Sequence, residues 1–557
     1  MGLFIYLNFV YVSRSYQHYW LAGQVKTLDT LAKHIGIDKV IHEHESRTLY
    51  PCPSQAERHI LGVAKPHNIK DVQAIVDWAN THHIKLYPLS TGRNWGYGGG
   101  NPVEEDCLIV DMGDMDQIRN FDPDLGSITL QPGVTQGDLY HFLTDHSYPF
   151  FAPVTGSSPH CSLIGNALER GYGVTPITDH FQGITEVKAV LADGSIYQGQ
   201  LDQMGVESSK LAKWGAGPYV EGLFSQGNFG IVVEATIKLE AKTDHSIMII
   251  FKPSDDAEDF EQVVRISREL MQTQKKVVSA IKYFNKAYSV ALNMPVPRDE
   301  LAAPDFDITA WLNDAGKKHR LPEWLGLIFI YGNDDLAHIA ARECKKRLAP
   351  HCKSIVIFDR KKIKLARAAN KILPNIKPLQ MIKAQIDTVS ASYDLLRGMP
   401  QSRFLKAAYW RAGELPDNQD DYHPGRDGCG LIWYAPMLPM TGKDLLKFEQ
   451  ITKDVCARHG IFPVVSMTTI SEQCITALVP IMFDPATESE QAFACHKDLF
   501  ESCQAAGYLP YRAHIDSMAW YGADNQTTHF QSALQKAKQH IDADGLMSPG
   551  RYQRRKA

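Results

Sequence analysis

Among the 557 residues there is no C-x-x-C pair, although ten cysteines are present. That spacing excludes a thioredoxin-like redox pair and the common zinc frameworks, and cysteines this sparse point to reduced thiols in a cytoplasmic protein. No H-E-x-x-H or other metal-ligand spacing occurs among the 22 histidines, so no metal is expected. Neither G-x-G-x-x-G between a strand and a helix nor G-x-x-x-x-G-K-[ST] is present, which removes the Rossmann and P-loop readings. A formal net charge of -5 gives no basic excess for nucleic acid. The apolar start, MGLFIYLNFVYV, has no basic residue before it and is too short to span a bilayer. It reads as a tail or an upstream-start artefact, without membrane attachment. No internal repeat or low-complexity tract appears.

What is abundant is punctuated glycine. PLSTGRNWGYGGGNPV, residues 88–103, follows a helical pattern with Val72, Ile75, Val76 and Ala79 on one face and Asn68 as its cap. It lies between two short apolar runs, Leu86 to Leu89 and Cys107 to Met112, both expected to be strands. Such a loop is either a tight turn or a nest of backbone N–H groups that binds phosphate. Further on, Ser127 to Gln131 reads as a strand, Thr135 caps a helix to His146, and ADGS joins a hairpin. Ile231 to Leu239 is another strand. The fold class is α+β in two domains, and the cations of DRKKIKLARAANK fall on a solvated helix face. Asn293 to Pro304 reads as a surface excursion.

Five segments in order, STGRNWGYGG, QPGVTQGDLY, GNALERGYGVTPITDH, WGAGPYVEGLFSQGNFGIV and DADGLMSPGRY, resemble the vanillyl-alcohol oxidase and 4-cresol dehydrogenase flavoproteins from about residue 50 onward. The resemblance implies an FAD-binding domain over 50–244, a substrate (cap) domain with an antiparallel sheet over 245–506, and a return of 507–557 to the first domain, with 1–49 as lead-in. It implies FAD held by Ser90, Thr91, Gly92, Arg93, Asn94, Gly165, Asn166, Gly171, Gly227, Gly230, Ile231, Val232 and Arg551. Tyr97, Tyr511 and Arg512 match the residues that bind a phenolate, and Asp179 matches an acidic residue placed near the reacting carbon. The implied reaction removes hydride from the benzylic carbon of a 4-substituted phenol through a p-quinone methide. Dioxygen or a separate cytochrome c is the acceptor, the chain carrying no C-x-x-C-H, and a homodimer or higher homo-oligomer is expected.

The likeness has gaps. Ala408 stands where the family has a tyrosine tether to FAD, and Gly430 or Leu431 stands where it has a histidine tether. An insertion between them carries Tyr422 and His423 as substitute tethers, but noncovalent FAD is the favoured expectation. Glu472, Gln473 and Cys474 replace paired histidines of the family's substrate region, while Trp433 and Tyr434 are large residues able to reshape the cavity. Two other readings remain open: oxidation of a hydroxyacid or sugar lactone, and a non-catalytic subunit with a flavin groove.

Overall fold

The computed structural model describes residues 28–552 apart from 43–48, 55, 57, 302–305, 334, 375–376, 419–421 and 523–528. The apolar start therefore lies outside the described residues. The first sheet is formed by β1 (Val40–His42), β2 (Ile60–Ala64), β3 (Lys85–Leu89) and β4 (Cys107–Asp111), in the order β1-β2-β4-β3. Strands β2, β4 and β3 run parallel. The helix Ile69–His82 makes the crossover before β3, and the Asn68 side chain accepts hydrogen bonds from the Lys70 and Asp71 N–H groups at its start. Val72, Ile75, Val76 and Ala79 are buried against the sheet, so the 3.6-residue period read from the sequence is the packed face.

Strands β5 (Ile118–Asp122), β6 (Ser127–Leu130), β7 (Phe150–Phe151), β8 (Ile184–Leu191), β9 (Ile196–Tyr197), β10 (Gly230–Lys238) and β11 (Glu240–Ala241) follow. They make a five-stranded antiparallel sheet, β5-β6-β10-β8-β9, and the pair β7-β11. Residues 546–548 come back to β3: Leu86 N–H donates to Leu546 O, and Ser548 N–H donates to Leu86 O.

The third sheet is larger and antiparallel. Its strands are β12 (His245–Pro253), β13 (Val278–Asn285), β14 (Trp324–Gly332), β15 (Cys352–Phe358), β16 (Gly430–Tyr434), β17 (Met437–Pro439), β18 (Ser466–Thr469) and β19 (Cys474–Phe483). The order is β15-β12-β14-β13-β18-β19-β16, with β17 also on β19. Successive strand residues point to opposite faces. Ile281, Tyr283, Ile328, Met467, Ala477 and Val479 pack into the core on one face. Lys282, Phe284, Leu327, Thr468, Thr476 and Leu478 occupy the alternate positions and line a cavity on the other. One sheet thus serves as both core and cavity wall. The basic segment forms the helix Arg360–Ile372, with only Ile363 buried. The expected excursion near residue 300 contains a short helix, Arg298–Leu301, and Val296 and Leu301 pack on an apolar cluster.

Candidate active site

A cavity of about 450 Å3 lies between the glycine-rich loops and the large sheet, within the size range of ligand sites. Ser90 to Asn94, Gly165, Asn166, Gly171, Gly227, Gly230, Val232 and Arg551 all line it. Ile231 does not: it is fully buried in the core beneath the first sheet. The cradle needs its glycines. Gly92 has φ +65°, and a Cβ on Gly165 would stand 2.2 Å from Ser90 Oγ. Backbone-rich walls, absent side chains and a lining guanidinium suit an extended dinucleotide with a pyrophosphate.

The residues expected to meet the substrate converge at one part of this cavity. Tyr97 sits in a short 3-10 turn, Trp95–Tyr97, entered through Asn94. Tyr511 donates its N–H to Ala435 O at 3.2 Å, and its own carbonyl accepts from Gln226 Nε2 at 3.0 Å. The Arg512 guanidinium lies 4.4 Å from the Tyr97 ring centroid and donates to Asn94 Oδ1 at 2.5 Å. Burial drives the Tyr97 hydroxyl well above its ordinary pKa, and the neighbouring Tyr511 adds to this. Burial also raises Tyr511, opposed by Arg512 and by a hydrogen bond from Tyr97. Both phenols are therefore neutral donors at pH 7.

Three residues absent from the sequence expectations complete the arrangement. Glu169 pairs with Arg551 and lies 3.5 Å from Arg512 Nε. Burial opposes its ionisation, but the two guanidiniums hold the carboxyl below its usual range. One carboxylate between two guanidiniums leaves a net positive charge, and Arg512 Nε makes no hydrogen bond within the described protein. Tyr172 packs edge-on to Tyr511 at 5.4 Å and lines the cavity. Lys282 projects from β13 into the same space. Glu169 and Tyr172 lay inside a motif already read for its glycines, while Lys282 carried only the signal of a cation in an apolar strand, VSAIKYFN.

Asp179 is not part of the wall. Its backbone bridges to that of Tyr172, which does line the cavity, and its Oδ1 accepts from Gln182 N–H at 3.2 Å. Neither substitute tether lines the cavity. Tyr422 packs on Tyr409 with ring centroids 5.2 Å apart, and the His423 ring meets Trp95 edge-on at 4.8 Å. Ala408 and Leu431 do line it. Trp433 is in the wall, 5.3 Å from the Tyr97 ring, whereas Tyr434 points into the core. Glu472 turns outward to Lys275 at 3.3 Å, and Thr468 and Thr476 take the inward positions of that hairpin. No cluster of potential metal ligands exists among the described residues.

The family of the FAD binding domain matches residues 60–199. The chain is 29% identical over 527 residues to 1'-carboxy-chondrochloren decarboxylase of Chondromyces crocatus, covering 93% of this chain and 95% of that one. It is 24% identical over 538 residues to the 4-cresol dehydrogenase [hydroxylating] flavoprotein subunit of Pseudomonas putida, covering 93% of each. The solved structure of p-cresol methylhydroxylase with substrate bound superposes with a TM-score of 0.80 at 21% identity, over 95% of this chain and 97% of that one. The chain is an FAD-dependent oxidoreductase with the fold of p-cresol methylhydroxylase. As an FAD protein of this type it has the two-domain α+β architecture expected of it, with antiparallel sheets. No described helix is long and apolar enough to cross a membrane.

Proposed function

We propose that this oxidoreductase removes hydride from the benzylic carbon of a 4-substituted phenol. The observation that carries the reading is the meeting of Tyr97, Tyr511 and Arg512 in one cavity, although Tyr97 and Tyr511 lie more than 400 positions apart. Two tyrosines kept neutral by burial donate hydrogen bonds, and a guanidinium that keeps its charge supplies the counter-ion. Those are the groups that stabilise a substrate phenolate over the phenol. Ionised, the phenol oxygen feeds its electron pair through the ring to the para position, where hydride departs and a p-quinone methide remains. Bound FAD supplies the two-electron acceptor. In this reading the Asp179 carboxylate, whose backbone bridges to Tyr172, takes the proton from the water that adds to the benzylic carbon.

In this reading FAD is noncovalent, since Ala408 and Leu431, at the family's tether positions in the wall, offer no nucleophile. Acid precipitation then leaves the yellow colour in the supernatant; a yellow pellet would show a bond. Dioxygen or a separate cytochrome c accepts the electrons in this reading, and homo-oligomerisation is tested by light scattering.

The decarboxylase relative, matched over nearly its full length, favours a second fate for the same intermediate. If the para chain bears a carboxylate one carbon beyond the benzylic position, the quinone methide loses CO2. The electrons of the broken C–C bond form the alkene and restore the phenolate, so atoms and charge balance. Both fates share the first step. The test is anaerobic mixing with 4-ethylphenol and 3-(4-hydroxyphenyl)propanoate while the flavin absorbance is followed. Bleaching is expected, and Asp179→Ala is expected to slow formation of the hydroxylated product at least tenfold while bleaching, which precedes water addition, persists. No bleaching with either compound would remove the phenol reading, and an unchanged rate of hydroxylated product in the variant would remove Asp179 from it.

A further inference from the structure

Among the described residues, the cavity wall holds a cation that belongs neither to the phenolate site nor to the expected FAD cradle. Lys282 lies on the cavity face of β13, and its strand neighbours across the ladders, Leu327 on β14 and Thr468 on β18, line the same space. The accessible part of its side chain opens inward to this cavity. Among the described residues no carboxylate pairs with it. Its Nζ stands 5.6 Å from the Phe284 ring centroid. A buried ammonium without a counter-ion is costly, and burial here lowers the Lys282 pKa to about 8. A lysine retained in such a place has its partner supplied from outside the chain.

Its position within the sheet says which part of a ligand it meets. Trp433, which touches Tyr97, is on β16, and the strand order β13-β18-β19-β16 puts three strand spacings between the two. At about 4.8 Å per strand that is roughly 14 Å across the sheet. Phe284, Leu327 and Phe329 on β13 and β14 fill the wall around the lysine, and Ser466, Thr468, Thr476, Leu478 and Pro480 on β18 and β19 line the stretch between the two poles. The cavity thus has a cation at each pole, with a wall of small hydroxyl and aliphatic side chains between them. A phosphate dianion would overfill a single lysine that has no second cation beside it; a carboxylate matches its charge.

We propose that Lys282 binds a carboxylate carried on the para chain of the substrate, remote from the phenol oxygen. This deepens the phenol reading and rests on it for the identity of the other end. The substrate class is then a 4-hydroxyphenylalkanoic acid or a larger acyl-chain phenol ending in an acid. The ammonium pairs with the acid and fixes which carbon of the chain stands at the reacting position, making Lys282 a specificity-determining residue.

The two readings separate experimentally because acids without a phenol can bind but cannot form a quinone methide. Isothermal titration of the FAD-loaded protein with 3-phenylpropanoate, 5-phenylpentanoate and their methyl esters measures the carboxylate preference without turnover. At least one acid is expected to bind at least tenfold more tightly than its ester; Lys282→Met abolishes that ratio and Lys282→Arg keeps part of it. Equal affinity of acid and ester in the unmutated protein, or a preference that survives Lys282→Met, overturns the proposal. The unmutated protein decides this even if the Met variant does not fold, and Lys282→Gln then supplies the second comparison. If the preference is present but no 4-hydroxy counterpart bleaches the flavin, the carboxylate site stands and the phenol reading falls.

Discussion

Single residues set the electrostatics of this cavity, and Tyr511 gives the cleanest handle. Its hydroxyl is a donor because burial keeps it protonated, with Arg512 pulling the other way. Tyr511→Phe removes one donor to the substrate phenolate. Flavin reduction by 4-ethylphenol is expected to slow by about 100- to 1,000-fold at pH 7, the order lost with one oxyanion donor. Near pH 10 an ordinary phenol is already half ionised, so the deficit shrinks as pH rises. Stopped-flow rates across that range check this, and a deficit independent of pH would assign Tyr511 a packing role. At this scale the sequence was only partly readable. The glycine loop and the Tyr97, Tyr511 and Arg512 set were visible through resemblance, but Ile231 shows where matching residues fails. Gly230 and Val232 face the cavity and Ile231 between them faces the core, because alternate strand residues must diverge. Asp179 was matched as a neighbour of the reacting carbon; it does not itself line the cavity but bridges to Tyr172, which does. Lys282 belongs to no motif, since only its partners across two other strands reveal what it faces.

At the scale of elements, caps and periodicity made several helices and strands of residues 68–240 legible, as with Asn68 and Thr135, whereas the strand Ile118–Asp122 and the short helix Leu163–Leu168 carried too little local pattern to be read. What no local pattern carries is the order of the large sheet, in which β13 pairs with β18 across more than 180 positions. The segment Glu221–Phe224 and the turn after it show how tightly an element can hold the cofactor loop. A Cβ on Gly227 would stand 1.7 Å from Leu223 O, a backbone atom that cannot swing aside. Gly227→Ala therefore forces the turn off its path. A loss of about 1–3 kcal/mol in stability, of the order of other overpacking changes, is expected. Weaker FAD retention should accompany it, because Gly227 itself lines the cavity. Thermal melts with and without added FAD measure both; unchanged values would mean that the loop is slack.

The whole molecule carries a pH dependence through histidines buried without charge. Burial lowers His180 to about 4 and His514 to about 3, while His496, about 3, is also depressed by His514 beside it. The unfolded chain takes up these protons near pH 6.5 and the folded chain does not, so stability is full above that pH and falls below it. Each histidine contributes about 1.4 kcal/mol per pH unit between its unfolded and folded values. Urea midpoints should fall steeply from pH 6.5 toward pH 4, and His496→Leu, if folded, should flatten the slope by about one histidine's share. A flat profile would count against neutral burial.

The return of residues 546–548 to β3 has a consequence for biogenesis. Arg551 shares Glu169 with Arg512, and Ser548 borders the same cavity. A nascent chain still on the ribosome at residue 500 has translated its glycine loop but neither arginine. Cofactor capture by this cradle is therefore expected only after synthesis is complete, and a truncation before residue 546 should leave apoprotein even when FAD is plentiful.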